Sequence, residues 1–131
     1  MQSSKKIIFT ADAPAPIGPY SQAVMVGNLL FVSGQIPTDP ATGAVVVGGI
    51  QQEARQVMLN IGAVLKAAGL DYRHVVKTSI FLKDMNNFGA VNEVYGHFFT
   101  GEYPARETVE VARLPKDVNV EISVIAVAET E

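Results

Sequence analysis

The sequence predicts a two-layer α+β fold in which a mostly antiparallel sheet carries two helices on one face. Two segments, beginning at Ile50 and at Phe88, place apolar residues at spacings of three and four, as one face of a helix requires. Six shorter segments are mostly apolar on one side only, which is typical of strands. The predicted order is β-β-β-α-β-α-β-β, and helices with a single apolar stripe must bury it against the sheet.

Three strands are predicted before the first helix. Residues 5–10 form the first strand. The apolar runs Ala23–Val26 and 29–33 are separated only by Gly27 and Asn28, a pair that readily supplies the positive φ angles of a two-residue turn. These two runs are therefore predicted to form a β-hairpin.

Each predicted helix ends near a glycine. The first helix should end at Gly69 and the second at Gly101, since glycine commonly follows the last helical turn. The apolar face of the first helix comprises Ile50, Ala54, Val57, Met58, Ile61, Val64, Leu65 and Ala68. That of the second comprises Phe88, Val91, Val94, Tyr95, Phe98 and Phe99. No Lys or Arg interleaves these aromatic residues, so we interpret them as helix core and not as a base-stacking platform.

The fourth strand covers residues 74–82, and the last two strands, 106–113 and 118–127, are predicted to form a hairpin through a turn at 114–117. A turn centred on Pro115 and Lys116 would pair Glu110 with Glu121. Two opposed carboxylates need a nearby cation, a bound proton or a different register, so a raised pKa is expected. Strand alternation would then place one polar set on the face away from the helices: Arg106, Thr108, Glu110, Asn119, Glu121 and Ser123.

In this register Arg106 and Glu121 share a face but lie on the order of 13 Å apart at strand rise. That distance is long for one small substrate. Either a bulge shortens it, or the second residue comes from a neighbouring subunit and the polar face is buried in an oligomer. We favour the neighbouring subunit. The alternative is that these residues are ordinary solvated side chains of an antiparallel sheet.

The composition narrows the class of protein. The chain has 131 residues, of which 48% are hydrophobic, and predicts one domain over residues 1–131. Its formal net charge of -3 disfavours a nucleic-acid partner. No segment is long and apolar enough for a membrane span or a signal peptide, so no membrane partner is expected.

The absence of cysteine excludes disulfides and cysteine-type zinc sites and fits a cytoplasmic location. His74 and His97 lack metal-ligand spacing, so no metal is expected.

Several segments resemble the RidA (YjgF-type) family. They read IGPYSQA at 17–23, FVSGQIP at 31–37, PAR at 104–106, VEVARLPKD at 109–117 and VEI at 120–122. The resemblance extends to the end of the first helix (67–70) and to residues 76–88, and so covers nearly the whole chain. It implies a chorismate-mutase-like fold and a homotrimer with substrate clefts between subunits. It also implies hydrolysis of 2-iminopropanoate and 2-iminobutanoate to keto acids and ammonia, without a cofactor.

The resemblance also implies roles for individual residues. Arg106 would bind the substrate carboxylate, Glu121 would activate the attacking water, and Tyr20 would close the pocket and donate a hydrogen bond. The substrate-binding residues that it implies are Ser33, Gly34, Asn92 and Thr108.

The chain departs from the family pattern at two positions. Thr108 stands where many members have cysteine, and Ser123 where many have a second glutamate. Threonine argues against any thiol-based role at this position, and Ser123 leaves Glu121 as the natural base. Two other functions remain open: a keto-acid-binding or chaperone-like trimer without catalysis, and a ribonuclease or translation inhibitor.

Overall fold

A computed structural model describes residues 4–129 of the chain. The strands are β1 (Lys5–Ile8), β2 (Ala23–Val26), β3 (Leu29–Gln35), β4 (Val75–Leu82), β5 (Ala105–Glu110) and β6 (Val120–Val127). The helices are α1 (Ile50–Ala67) and α2 (Phe88–Gly96). The predicted order of strands and helices and the α+β class are confirmed.

All six strands form one sheet, in the order β1-β2-β3-β6-β4-β5. Every neighbouring pair is antiparallel except β4 and β5. The hairpin between β2 and β3 is confirmed: Val26 pairs with Leu29, and Gly27 supplies a positive φ of 60° in the two-residue turn.

The core lies between the sheet and the two helices. Val57, Ile61 and Leu65 of α1 are fully buried, and so are Val120 and Ile122 of β6. These apolar side chains supply most of the packing that holds α1 on the sheet. No helix of the described residues is long and apolar enough to cross a membrane.

The predicted hairpin between the last two strands is wrong. β6 lies between β3 and β4, whereas β5 lies at the edge of the sheet, parallel to β4. Glu121 therefore pairs with Phe81 and not with Glu110. The apolar alternation of β6 suits a strand with two neighbours and one face on the helices, while β5 carries three charged residues in six (Arg106, Glu107 and Glu110) and occupies an edge.

One of the two predicted helix ends is correct. Gly69 follows α1 with a φ of 79°, and the backbone N–H of Leu70 bonds the carbonyl of Leu65, as in a Schellman motif. The second prediction was wrong, because α2 ends at Gly96 and continues only as tight turns. Gly101 has a φ of 100° and lies in the loop before β5.

The sheet face opposite the helices, the open face, carries both apolar and polar side chains. Ile7, Leu29, Phe31 and Val109 lie on it and are between 38% and 52% exposed. Glu121 is one of the polar residues that lie on the same face. We expected a polar face here, and the structure shows a mixed one, since β1, β2 and β3 contribute apolar residues to both faces.

Candidate functional site

A bulge in β3 places Glu121 against Gly34. Val32 pairs with Val124 and Gln35 with Ile122, so two residues of β3, Ser33 and Gly34, lie opposite one residue of β6. A Cβ at Gly34 would overlap Oε2 of Glu121 and lie 2.8 Å from its Cδ. Only glycine therefore leaves room for the carboxylate in this position.

The Glu121 carboxylate is half-buried and makes no hydrogen bond or ion pair with any residue in 4–129. Burial raises its pKa above the ordinary value of 4.5. We predicted a raised pKa, but from repulsion by Glu110. The structure gives a different cause, because the Glu110 carboxylate accepts a hydrogen bond from the backbone N–H of Met85 at 2.8 Å, away from Glu121.

Tyr20 and Ser33 line the same cavity as Glu121, with a volume of about 300 Å³. The Ser33 hydroxyl donates to the carbonyl of Ser21 at 2.6 Å, so its oxygen remains free to accept. The Tyr20 hydroxyl accepts a hydrogen bond from the backbone N–H of Ile17 at 3.2 Å, so its own hydrogen is free to be donated.

The loop that carries Tyr20 is held by Gln22, which sequence reasoning missed. Gln22 is 2% exposed, and its Oε1 accepts from the backbone N–H of Thr10 at 2.8 Å. Its Nε2 donates to the carbonyls of Thr10, Ala13 and Pro14. The side-chain amide of Gln22 thus makes hydrogen bonds with backbone groups of this loop, which has no regular secondary structure to pair them.

Arg106 lies on the aromatic rings of α2. Its guanidinium carbon is 5.1 Å from the ring centroid of Tyr95 and 5.4 Å from that of Phe88, within cation–π distance. The Tyr95 hydroxyl in turn bonds the buried hydroxyl of Thr78 at 2.9 Å. Within residues 4–129 the guanidinium has no carboxylate partner, so its donors are available to a ligand.

The interpretation of the aromatic stripe as helix core holds only in part. Tyr95 is buried, and Phe98 and Phe99 pack against the core, but Phe88 is 41% exposed and lies under Arg106. Phe88 and Tyr95 are seven residues apart, which puts them on one side of a helix. That spacing was visible in the sequence, whereas their partner Arg106 comes from a separate strand.

Asn92 and Thr108 lie on the same side of the sheet as Arg106. Asn92 and Arg106 line one cavity of about 370 Å³, which Tyr103 also lines. Thr108 pairs with the buried Ile80, and its hydroxyl oxygen is buried without a hydrogen-bond partner among the described residues.

The predicted site residues therefore form two groups in one subunit. Tyr20, Ser33, Gly34 and Glu121 form the carboxylate group, on the open face. Arg106 and Asn92, which line one cavity, and Thr108, which the β4–β5 register places on the same side of the sheet, form the guanidinium group on the helix side. The prediction that Arg106, Thr108, Glu121 and Ser123 share a face was wrong, because it assumed the β5–β6 hairpin. In residues 4–129, no three His, Cys, Asp or Glu side chains are grouped as metal ligands.

Comparisons with known proteins agree on one family. A family model described as Endoribonuclease L-PSP matches residues 10–128. The 2-iminobutanoate/2-iminopropanoate deaminase of Mus musculus is 52% identical over 94% of this chain and 91% of its own length.

Solved structures give the same result. The crystal structure of the YjgF gene product of E. coli is similar with a TM-score of 0.91 and 50% identity, covering 95% of this chain and 99% of that one. The structure of E. coli TdcF with bound serine has a TM-score of 0.91 and 46% identity, covering 95% and 99% of the two chains.

Proposed function

The chain belongs to the RidA (YjgF-type) family, whose model is described as endoribonuclease L-PSP, and from this premise we propose that it hydrolyses reactive 2-imino acids. The substrates are 2-iminopropanoate, with its enamine form 2-aminoacrylate, and 2-iminobutanoate; the products are 2-keto acids and ammonia. Relatives about half identical to this chain, such as the mouse protein, carry that activity in their names. The observation that carries the proposal is the Glu121 carboxylate, which is half-buried beside Gly34 and has no partner among residues 4–129.

Glu121 suits the role of a general base that later acts as an acid. Water attacks C2 of the protonated imine, the new C–O bond forms, and the C=N electron pair moves to nitrogen while Glu121 takes a proton from the water. The same carboxyl then protonates the amine, and the C–N bond breaks as the C2 hydroxyl becomes the carbonyl. The hydroxyl proton passes to the departing ammonia, which leaves as ammonium, and Glu121 is again a carboxylate. Burial favours this exchange, because a raised pKa brings the carboxyl nearer to neutral pH.

Arg106 would orient the substrate by a bidentate contact with its carboxylate. The stacking on Phe88 and Tyr95 restricts the guanidinium plane before the substrate arrives, so less conformational entropy is lost on binding. Tyr20 would donate its free hydroxyl hydrogen to the substrate from the carboxylate group. The bound serine of TdcF supports a ligand that carries a carboxylate.

One substrate requires both groups, and in one subunit they lie on opposite sides of the sheet. We therefore propose that Arg106 of one subunit joins Glu121 of its neighbour in a homotrimer. The open face supports this assembly, because it exposes the apolar side chains of Ile7, Phe31 and Val109, which a partner would bury.

The test is the release of keto acid or ammonia from freshly generated 2-iminopropanoate, measured against the uncatalysed rate. We expect Arg106→Ala and Glu121→Gln to lose the acceleration. The matched controls Arg73→Ala and Glu93→Gln, which change exposed residues of the turn before β4 and of α2 respectively, should retain it. A wild-type protein no faster than buffer would overturn the proposal.

The shared site has its own test. A trimer reassembled from equal amounts of Arg106→Ala and Glu121→Gln subunits should regain about a quarter of wild-type activity, since each site draws either residue from a random subunit. No recovery after verified subunit exchange would show that both residues act within one subunit.

A second candidate is a trimer that binds keto or amino acids without turnover, which the bound serine of TdcF favours. In that case Arg106→Ala would abolish binding, while Glu121→Gln would leave it intact. Turnover by the wild-type protein separates the two functions.

A further inference from the structure

A second cavity adjoins the carboxylate group. Its volume is about 310 Å³, and it shares Ile17, Tyr20, Gly34 and Ile36 with the cavity of Glu121. The second space therefore lies beside a substrate whose C2 is near Glu121.

The second cavity has a polar floor. Gln35 and Thr38 line it, and each is only 5% exposed. The Thr38 hydroxyl oxygen is buried and has no hydrogen-bond partner in residues 4–129. The Gln35 Nε2 donates to the carbonyl of Ser33 at 3.3 Å, and no hydrogen bond within those residues reaches its Oε1. This oxygen is closed off from the cavity, so a ligand group reaches it only after the Thr38 side chain rotates. That contact would complete a hydroxyl that is costly to leave buried and unbonded.

The floor is also held in place before any ligand binds. The Asn60 side chain, 1% exposed, donates to the carbonyl of Ile36 at 3.1 Å and to that of Thr38 at 3.0 Å. Pro14, Pro16 and Pro40 contribute apolar walls. Rigid apolar walls with a few fixed polar groups are the usual construction of a specificity pocket.

We propose that this cavity binds the substrate side chain and favours 2-imino acids whose side chain ends in a carboxamide, such as the imine of asparagine. The inference rests on the proposed imine hydrolysis. A carboxamide carries both a donor and an acceptor, which match the free Oε1 of Gln35 and the hydroxyl of Thr38. A carboxylate fits the floor less well, because both groups there are neutral and buried, and Lys116 at the rim is exposed.

Asparagine and leucine provide a matched pair, because their side chains have nearly the same shape and differ in polarity. Their imines, and that of alanine, can be generated in situ by an amino-acid oxidase. We expect wild type to favour the asparagine imine over the leucine imine in kcat/KM. Thr38→Val should reduce that preference about three- to tenfold, and Thr38→Ser should preserve it. The alanine imine should be hydrolysed equally by all three proteins, since its methyl group does not reach the floor.

The outcomes separate the two proposals. No acceleration of the alanine imine by wild type would overturn the proposed function itself. Suppose that the alanine imine is hydrolysed normally. If wild type then shows no preference for the asparagine imine over the leucine imine, or if Thr38→Val keeps the full preference, only the pocket assignment is overturned. Thr38→Val should fold at least as well as wild type, because it removes a buried hydroxyl that has no partner among residues 4–129. Its Tm checks this directly.

Discussion

Replacing Gly34 with alanine would test the position of Glu121 with a single methyl group. The φ of Gly34 is outside the left-handed region, so alanine brings no backbone strain. Its Cβ would overlap Oε2 of Glu121 and lie 2.8 Å from Cδ and 3.1 Å from Cγ. An ordinary carbon–carbon contact is about 3.5 to 4 Å, so the carboxylate must move by roughly 1 Å.

A shift of this size in a catalytic group costs on the order of a hundredfold in rate. We therefore expect Gly34→Ala to lower kcat for 2-iminopropanoate about a hundredfold. Folding should be weakened by only about 1 kcal/mol, the cost of an off-rotamer side chain. The assay follows keto-acid release, with Tm measured on the same samples.

Gly89→Ala is the matched control, because its Cβ would meet no atom of residues 4–129 within 4 Å and its φ is also ordinary. It should keep wild-type activity and gain slightly in stability from better helix propensity. Full activity in Gly34→Ala with an unchanged Tm would refute the reasoning, since Glu121 would then not need its observed position.

Two further predictions concern Arg106 and Glu121. Tyr95→Leu removes the ring beneath Arg106 and should raise KM about three- to tenfold. Tyr95→Phe keeps the ring and should leave KM near wild type, but it should lose stability because the Thr78 hydroxyl loses its hydrogen-bond partner. Equal KM values for both variants would contradict the stacking role. Because burial raises the Glu121 pKa, ionisation of this carboxyl costs the folded state stability, and that cost grows as pH rises from about 4.5 through the raised pKa. Glu121→Gln should therefore have a higher Tm than wild type at about pH 7 but not at low pH. The acid limb of the wild-type kcat/KM profile should lie above pH 4.5. A Tm difference that does not depend on pH would argue against a raised pKa of Glu121.

Local patterns in the sequence were enough to predict the fold class. Alternation and helical spacing depend on neighbouring residues, so the order of strands and helices, the turn at Gly27 and the end of α1 just before Gly69 could be predicted directly. The end of α2 could not, because the apolar spacing continues through Phe98 and Phe99 after the helix has become a series of turns.

Strand pairing was the part that local patterns could not decide. Consecutive strands usually pair, and that rule suggested the β5–β6 hairpin. The fold instead inserts β6 between β3 and β4, where its alternating apolar residues meet α1, and leaves the charged β5 at the edge. This one difference moved Arg106 to the helix side and separated it from Glu121.

The sequence by itself determined the fold class, the order of strands and helices, and the family motifs that mark candidate residues, because motifs and periodicity are properties of adjacent positions. Only the tertiary structure decided which of those residues meet. The bulge that brings Gly34 to Glu121, the rings of Phe88 and Tyr95 beneath Arg106, and the polar floor at Thr38 all join segments distant in the chain. Such contacts follow from sheet order and burial, which depend on the packing of the whole domain.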